Sequence, residues 1–167
     1  MSFLRVCSLL LLVATSAQAE EPSWEQRQSI PRWAVPLLEH PGFSENYPLS
    51  TRLNPFLVQG DFNGDGRIDL AILVEQKDTR AAGIAIVHAG AGRPIVTGAG
   101  TPLGAGGRDF SWMKAWQVYS KGPVLQGAGP EPPPELRGDA LLVKALEAAS
   151  AVIYWNGSEY RWYQQGD

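Results

Sequence analysis

Two β-branched apolar runs constrain this chain more than any other feature of its sequence. Ile68 to Glu75 reads Ile-Asp-Leu-Ala-Ile-Leu-Val-Glu, and Gly83 to Ala89 reads Gly-Ile-Ala-Ile-Val-His-Ala. The first is β-branched and apolar, the mark of a well-buried strand, and the second reads as a further strand. The charged, turn-forming stretch from Gln76 to Ala82 separates them and is short enough to close an antiparallel hairpin. Phe56 to Gly60 leads in as a brief apolar run, and Pro94 to Thr97 predicts a third, short strand.

The C-terminal part carries the same signal. Trp112 to Tyr119 fits a helical face or a strand, and its adjoining aromatic and β-branched residues favour the strand. Asp139 to Lys144 reads as a strand, with one helical turn open to the alanine-rich residues that follow. Ala151 to Trp155, then Asn156-Gly157, then Ser158 to Gln164 predicts a hairpin closed by a type I′ turn, with aromatic residues on both faces. Between these elements, Gly98 to Gly107 reads as a mobile glycine-rich loop, and Gly122 to Gly138 as a long surface connection. Near the N-terminus, Glu20 to Ser29 reads as frayed. Pro31 to His40 predicts a short helix with Trp33, Leu37 and Leu38 on one face, ended by Pro41-Gly42. No internal repeat is visible. The expectation is one α+β domain, mainly antiparallel β-sheet with a short N-terminal helix, spanning residues 20–167.

Met1 to Ala19 has the layout of a secretory signal peptide: Arg5 as the positive n-region, Leu9 to Ala14 as the apolar stretch, and Ala17-Gln18-Ala19 as the cleavage site. A periplasmic or secreted protein follows as the expectation, with no membrane insertion after cleavage, since no stretch reaches about 20 apolar residues. The one cysteine of the chain, Cys7, falls inside that segment. The remainder must therefore be held together by its core, without disulfides or thiol chemistry. The net charge of -3 argues against a nucleic-acid partner, which calls for a basic patch.

One segment carries chemistry. Gly60-Asp61-Phe62-Asn63-Gly64-Asp65-Gly66-Arg67-Ile68-Asp69-Leu70 places side-chain oxygens at loop positions 1, 3, 5 and 9, namely Asp61, Asn63, Asp65 and Asp69, with the Arg67 carbonyl available at position 7. Gly64 and Gly66 permit the positive φ that a tightly curled loop demands. Carboxylates this close repel one another unless a cation lies between them. Calcium is the expected cofactor, held by Asp61, Asn63, Asp65, Arg67 and Asp69 in a structural role. The bland counterpart is an Asx-rich turn stabilised by its own hydrogen bonds. An EF-hand is excluded, because the bidentate carboxylate due at position 12 is Ile72, inside the apolar run.

The Asp-x-Asn-x-Asp-Gly-x-x-Asp pattern running directly into Leu-Ala-Ile-Leu resembles the FG-GAP and VCBS type of calcium loop, over Gly60 to Val74. The resemblance implies that the loop joins two strands of a propeller-type blade. A propeller needs several blades in tandem and this chain carries one copy, so an integrin-like binding surface is not expected. The whole chain looks like small exported bacterial proteins that have a single VCBS-like loop.

Elsewhere the sequence offers little for catalysis. His40 and His88 fall at a helix end and in a strand, no Gly-x-Ser-x-Gly elbow is present, and Asp109 and Glu135 stand alone; the expectation is a non-enzymatic protein. The aromatic content, with 6 Trp and 5 Tyr, is the other notable feature. Trp112, Trp116, Trp155 and Trp162 are the candidate partner surface, through which a binding or inhibitor module would engage an envelope protein or a glycan. The alternative use for such large side chains is to fill a core that has no disulfides.

Overall fold

The computed structural model describes residues 21–127, 129–146 and 149–166. The expected signal segment, Met1 to Ala19, lies outside the described residues. Three one-turn helices come first: α1 (Trp24–Arg27), α2 (Val35–Leu38) and α3 (Pro41–Ser44). Eight strands follow, in two sheets. β1 (Leu57–Gly60), β2 (Asp69–Glu75), β3 (Ala82–Val87) and β4 (Ile95–Gly98) form the first, in that order. β5 (Ala115–Tyr119), β6 (Ala140–Lys144), β7 (Ser150–Trp155) and β8 (Tyr160–Gly166) form the second. All six pairings are antiparallel, so each sheet is a four-stranded meander.

The two apolar runs are the centre of the first sheet. Every residue of β2 and β3 is buried, and Leu70 to Val74 and Ile84 to Val87 are fully so. Successive strand residues point to opposite faces, so this sheet is covered on both sides. One main core joins it to Ile30, Ala34, Leu38, Phe43 and Phe56 of the N-terminal segment and to alternate residues of the second sheet: Trp116, Leu141, Val143, Ala151, Ile153 and Tyr160. The opposite parity of the second sheet, Ala140, Leu142, Val152 and Tyr163, packs with Val124 and Leu136 in a smaller core. The proline-rich connection from Gly122 to Gly138 therefore acts as a lid on that sheet. Gly127 N–H donates to Tyr163 Oη at 2.9 Å, and Tyr163 Oη donates to the Glu131 carbonyl at 3.3 Å.

Five local expectations are corrected. Residues 24–27 are helical instead of frayed, because Ser23 and Gln26 form a reciprocal capping box, with bonds of 3.3 and 2.8 Å. The helix expected over Pro31 to His40 shrinks to α2, and Trp33 stays 39% exposed while Leu38 is buried. Pro41 begins α3 instead of ending its predecessor, since a first-turn proline loses no helical hydrogen bond. The turn between β7 and β8 is a longer loop over residues 156–159, with Trp155 opposite Tyr160. Gly157 alone takes positive φ there (110°), whereas a type I′ turn needs two such residues. Asn156 closes the loop by accepting the N–H groups of Ser158 and Glu159 on Oδ1.

The fifth correction concerns Gly98 to Gly107. This stretch is laid against the second sheet: a Cβ on Gly104 or Gly106 would lie 2.6 or 2.5 Å from atoms of Trp162. Glycine is needed so that backbone can rest on an indole. Trp112 Nε1 holds the same stretch by donating to the Gly106 carbonyl at 3.1 Å.

Asp109 ties the segment leading to β5 onto the start of β3, its carboxylate accepting the N–H of Ala82 at 2.9 Å and of Ser111 at 2.9 Å. Partial burial works to raise its pKa, but these hydrogen bonds to the ionised form outweigh it and hold the pKa below the ordinary 3.8. A depressed pKa means stability that is present above the ordinary value and is lost as pH falls through the folded one. In denaturant titrations between neutral pH and pH 3, Asp109→Asn is expected to lose less stability on acidification than the parent chain. A variant with an unchanged acid-side slope would refute that role.

Candidate metal centre

The acidic segment is the connection between β1 and β2, with Gly60 opposite Asp69 at the base of the hairpin. Asp61 organises it. Its Oδ1 accepts the N–H of Gly64 at 2.8 Å and of Asp65 at 3.0 Å, and its Oδ2 accepts the N–H of Gly66 at 2.9 Å. Asn63 Oδ1 accepts Asp65 N–H at 2.9 Å, and Asp65 Oδ1 accepts Arg67 N–H at 2.8 Å, two successive Asx turns that wind the chain onward. Gly64, at φ 78°, passes so close to the backbone of residue 137 that a Cβ would sit 2.5 Å from the Arg137 carbonyl oxygen.

The predicted ligands divide into two groups. Asp61, Asn63 and Asp65 are brought together on the outer side of the loop, where Asn63 Nδ2 donates to Asp65 Oδ2 at 3.0 Å. Arg67 follows them on the exposed side, its guanidinium lying over Gly90. Asp69 is at the buried base with no exposed surface. Its Oδ2 accepts the N–H of Phe62 at 3.0 Å and of Asn63 at 3.3 Å, and its Oδ1 accepts Ala89 N–H at 2.8 Å. Among the described residues, no three His, Cys, Asp or Glu side chains converge as a set that could hold an ion.

The electrostatics follow the same division. Hydrogen bonding by the Arg67 N–H, then by Asn63, lowers the Asp65 pKa. Burial raises that of Asp69, against the opposing effect of the Ala89 N–H. Desolvation also pushes Tyr160 well above the ordinary tyrosine value, with the charge of Asp69 adding to it. Tyr160 Oη lies 2.7 Å from His88 Nε2, and Trp155 meets the His88 ring edge-on at 5.1 Å. This buried group joins the end of β3 to the β7–β8 hairpin beside Asp69. His40 caps α3, with Nδ1 accepting Gly42 N–H at 3.1 Å.

Asp139 was missed by sequence reasoning. Its Oδ2 accepts Asp61 N–H at 3.0 Å, its Oδ1 accepts Lys121 N–H at 2.9 Å, and its own N–H donates to the Asp61 carbonyl at 2.7 Å. The second sheet thereby grips the first residue of the loop. A signal was present: Arg-x-Asp before an apolar run occurs at Arg67-Ile68-Asp69 and again at Arg137-Gly138-Asp139. Asp69 begins the second strand of its meander, and Asp139 immediately precedes the second strand of the other.

The tryptophans expected to form a partner surface are largely engaged inside. Trp116 is 5% exposed and donates to the Pro55 carbonyl at 2.7 Å, which removes it from any surface. Trp112, Trp155 and Trp162 are half-buried and pack against the main core, Trp112 and Trp162 edge-on to each other at 5.8 Å. Large side chains fill the space between the sheets that disulfides would otherwise brace.

Fold and loop together define the class: a protein of two antiparallel meanders with an Asx-rich, oxygen-donor loop in the first hairpin. In comparisons with family models, curated proteins and solved structures, nothing matches this chain. No helix of the described residues is long and apolar enough to cross a membrane.

Proposed function

We propose that this is an exported, non-enzymatic, single-domain protein whose 61–69 loop takes a structural Ca²⁺ ion. The observation that supports this most is a charge imbalance. Asp61, Asp65 and Asp69 fall within one short loop, yet none of them enters a salt bridge among the described residues. Hydrogen bonds from amides supply partial charges only, and the burial of Asp69 already disfavours its ionised form.

The donor set is all oxygen, which suits a hard cation. Asp61, Asn63 and Asp65 would contribute side-chain oxygens, Arg67 its carbonyl, and Asp69 a carboxylate from the base. The ion would supply positive charge and cross-link the loop; no reaction step is assigned to it. Every one of these carboxylates also accepts hydrogen bonds from the chain itself, which favours the competing reading of a loop that stands without metal.

Calorimetric and thermal titrations of the chain after signal removal separate the two. Extracellular calcium modules bind with a Kd on the order of 10⁻⁴–10⁻³ M. Ca²⁺ at a hundredfold excess over Kd is then expected to stabilise the fold by about 2.7 kcal/mol. Asp65→Ala is expected to abolish that gain while leaving the metal-free protein folded, because Asp65 is exposed. A melting temperature indifferent to Ca²⁺ would establish the self-supporting loop instead.

A further inference from the structure

We infer that the open edge of β4 and the groove beside it accept an extended, apolar peptide segment carrying a carboxylate, as a fifth strand of the first sheet. β4 ends its sheet and pairs with β3; on its outer side the Gly98 carbonyl already accepts the Thr101 N–H at 2.7 Å, which leaves the stretch around Val96 as the open part of the edge. The Ala99 N–H donates to the Ala82 carbonyl at 2.8 Å, one step beyond the Gly83–Gly98 pair. Bonded positions alternate along an antiparallel strand, so Thr97 and Ile95 face β3, while the N–H and C=O of Val96 face outward. Outward groups on an edge strand are a template for a further strand.

A groove of about 530 Å³ lies between this strand and α2–α3, and its apolar lining includes Leu37, Phe43, Tyr47, Ile95 and Val96. Ile95 and Val96 point to opposite faces of the sheet, so a groove touching both follows the strand's edge. Alternate side chains of an added strand would enter it, while the backbone pairs with Val96.

Charge selects the occupant. Arg93 and His40 line the groove, and no acidic side chain does. A second copy pairing through its own Ile-Val-Thr-Gly edge brings no carboxylate to Arg93. An apolar segment bearing Asp, Glu or a terminal carboxylate answers both features, because the Arg guanidinium forks onto a carboxylate. The surface is separate from the 61–69 loop and does not depend on the calcium reading.

The test begins by panning a phage library of random nonapeptides on the folded protein. Enriched peptides are then made with a fluorescent label and measured by fluorescence polarisation. Alternating apolar sequences with an acidic residue are expected. Val96→Pro removes an outward-facing N–H at a position where an edge strand tolerates proline, and it replaces a half-buried side chain that packs on the main core, so its melting temperature is compared with the parent's first. Losing that hydrogen bond and its register is expected to weaken binding about tenfold. Arg93→Glu, an exposed change that keeps the fold, is expected to weaken it by a similar factor, and Asp65→Ala to leave it unchanged. The inference is overturned by a library that yields no enriched acidic peptide, or by enriched peptides that bind both edge variants as tightly as the parent. A concentration-dependent dimer that Val96→Pro abolishes would also overturn it, by assigning the edge to a second copy.

Discussion

Asp69→Ala is expected to be among the most damaging single changes in this protein. The carboxylate has no exposed surface and accepts three backbone N–H groups, from Phe62, Asn63 and Ala89. Orphaned buried donors cost roughly 1–3 kcal/mol each, so the loss should reach about 3–5 kcal/mol, read as a lower urea midpoint at unchanged slope. Asp69→Asn retains one acceptor oxygen but turns an amide N–H₂ toward donors, and should fall between parent and alanine variant. The pH profile separates charge from shape. Burial raises the Asp69 pKa, so the unfolded chain loses its proton first and the Asp69 contribution falls as pH rises above the ordinary 3.8. In Asp69→Asn that decline should vanish. A decline that persists would show that the charge of Asp69 is not its source.

Phe62→Ala is the second large effect. Phe62 sits between the ligand candidates Asp61 and Asn63, yet its ring is 0% exposed in the main core. It pins a polar loop to an apolar interior, so truncation removes buried surface and leaves a cavity next to Asp69. Phe→Ala at such sites costs about 3–5 kcal/mol. Phe62→Leu refills much of the volume and should recover over half of the loss. A loss below about 1 kcal/mol would mean that the loop is not anchored through this ring. The Ca²⁺ titration of Phe62→Leu adds a second reading, since a loop still held by Asp61 and Asp139 should retain the parent response.

Much of this architecture was legible in the residues. The runs Ile68 to Glu75 and Gly83 to Ala89 became the two fully buried central strands, because β-branched, near-continuous apolar sequence has no stable place other than inside a sheet covered on both faces. The loop was legible by position too, since Asx residues at alternate places with two glycines wind the backbone through local hydrogen bonds. Less was visible in the glycine-rich and capping segments. Gly98 to Gly107 read as mobile because composition alone cannot tell a glycine that frees the chain from one that lets it lie on Trp162. The capping box at Ser23 is short and polar, and was masked by the charge around it.

The grouping of eight strands into two sheets lay beyond the sequence. Local propensity names strands, but their partition depends on which faces find cover, and that cover comes from residues distant in the chain. Asp139 shows why: it reaches the first residue of the loop from the far sheet, across a separation that no local pattern encodes. The same holds for Trp116, whose indole looks available for a partner until the Pro55 carbonyl is placed beside it. Composition and periodicity thus determined an antiparallel, disulfide-free sheet protein with one oxygen-rich loop, since those follow from the geometry of neighbouring residues. Tertiary packing alone decided which carboxylates stand on the rim, which is sealed at the base, and which strand edge is left open, because burial is a property of the assembled chain.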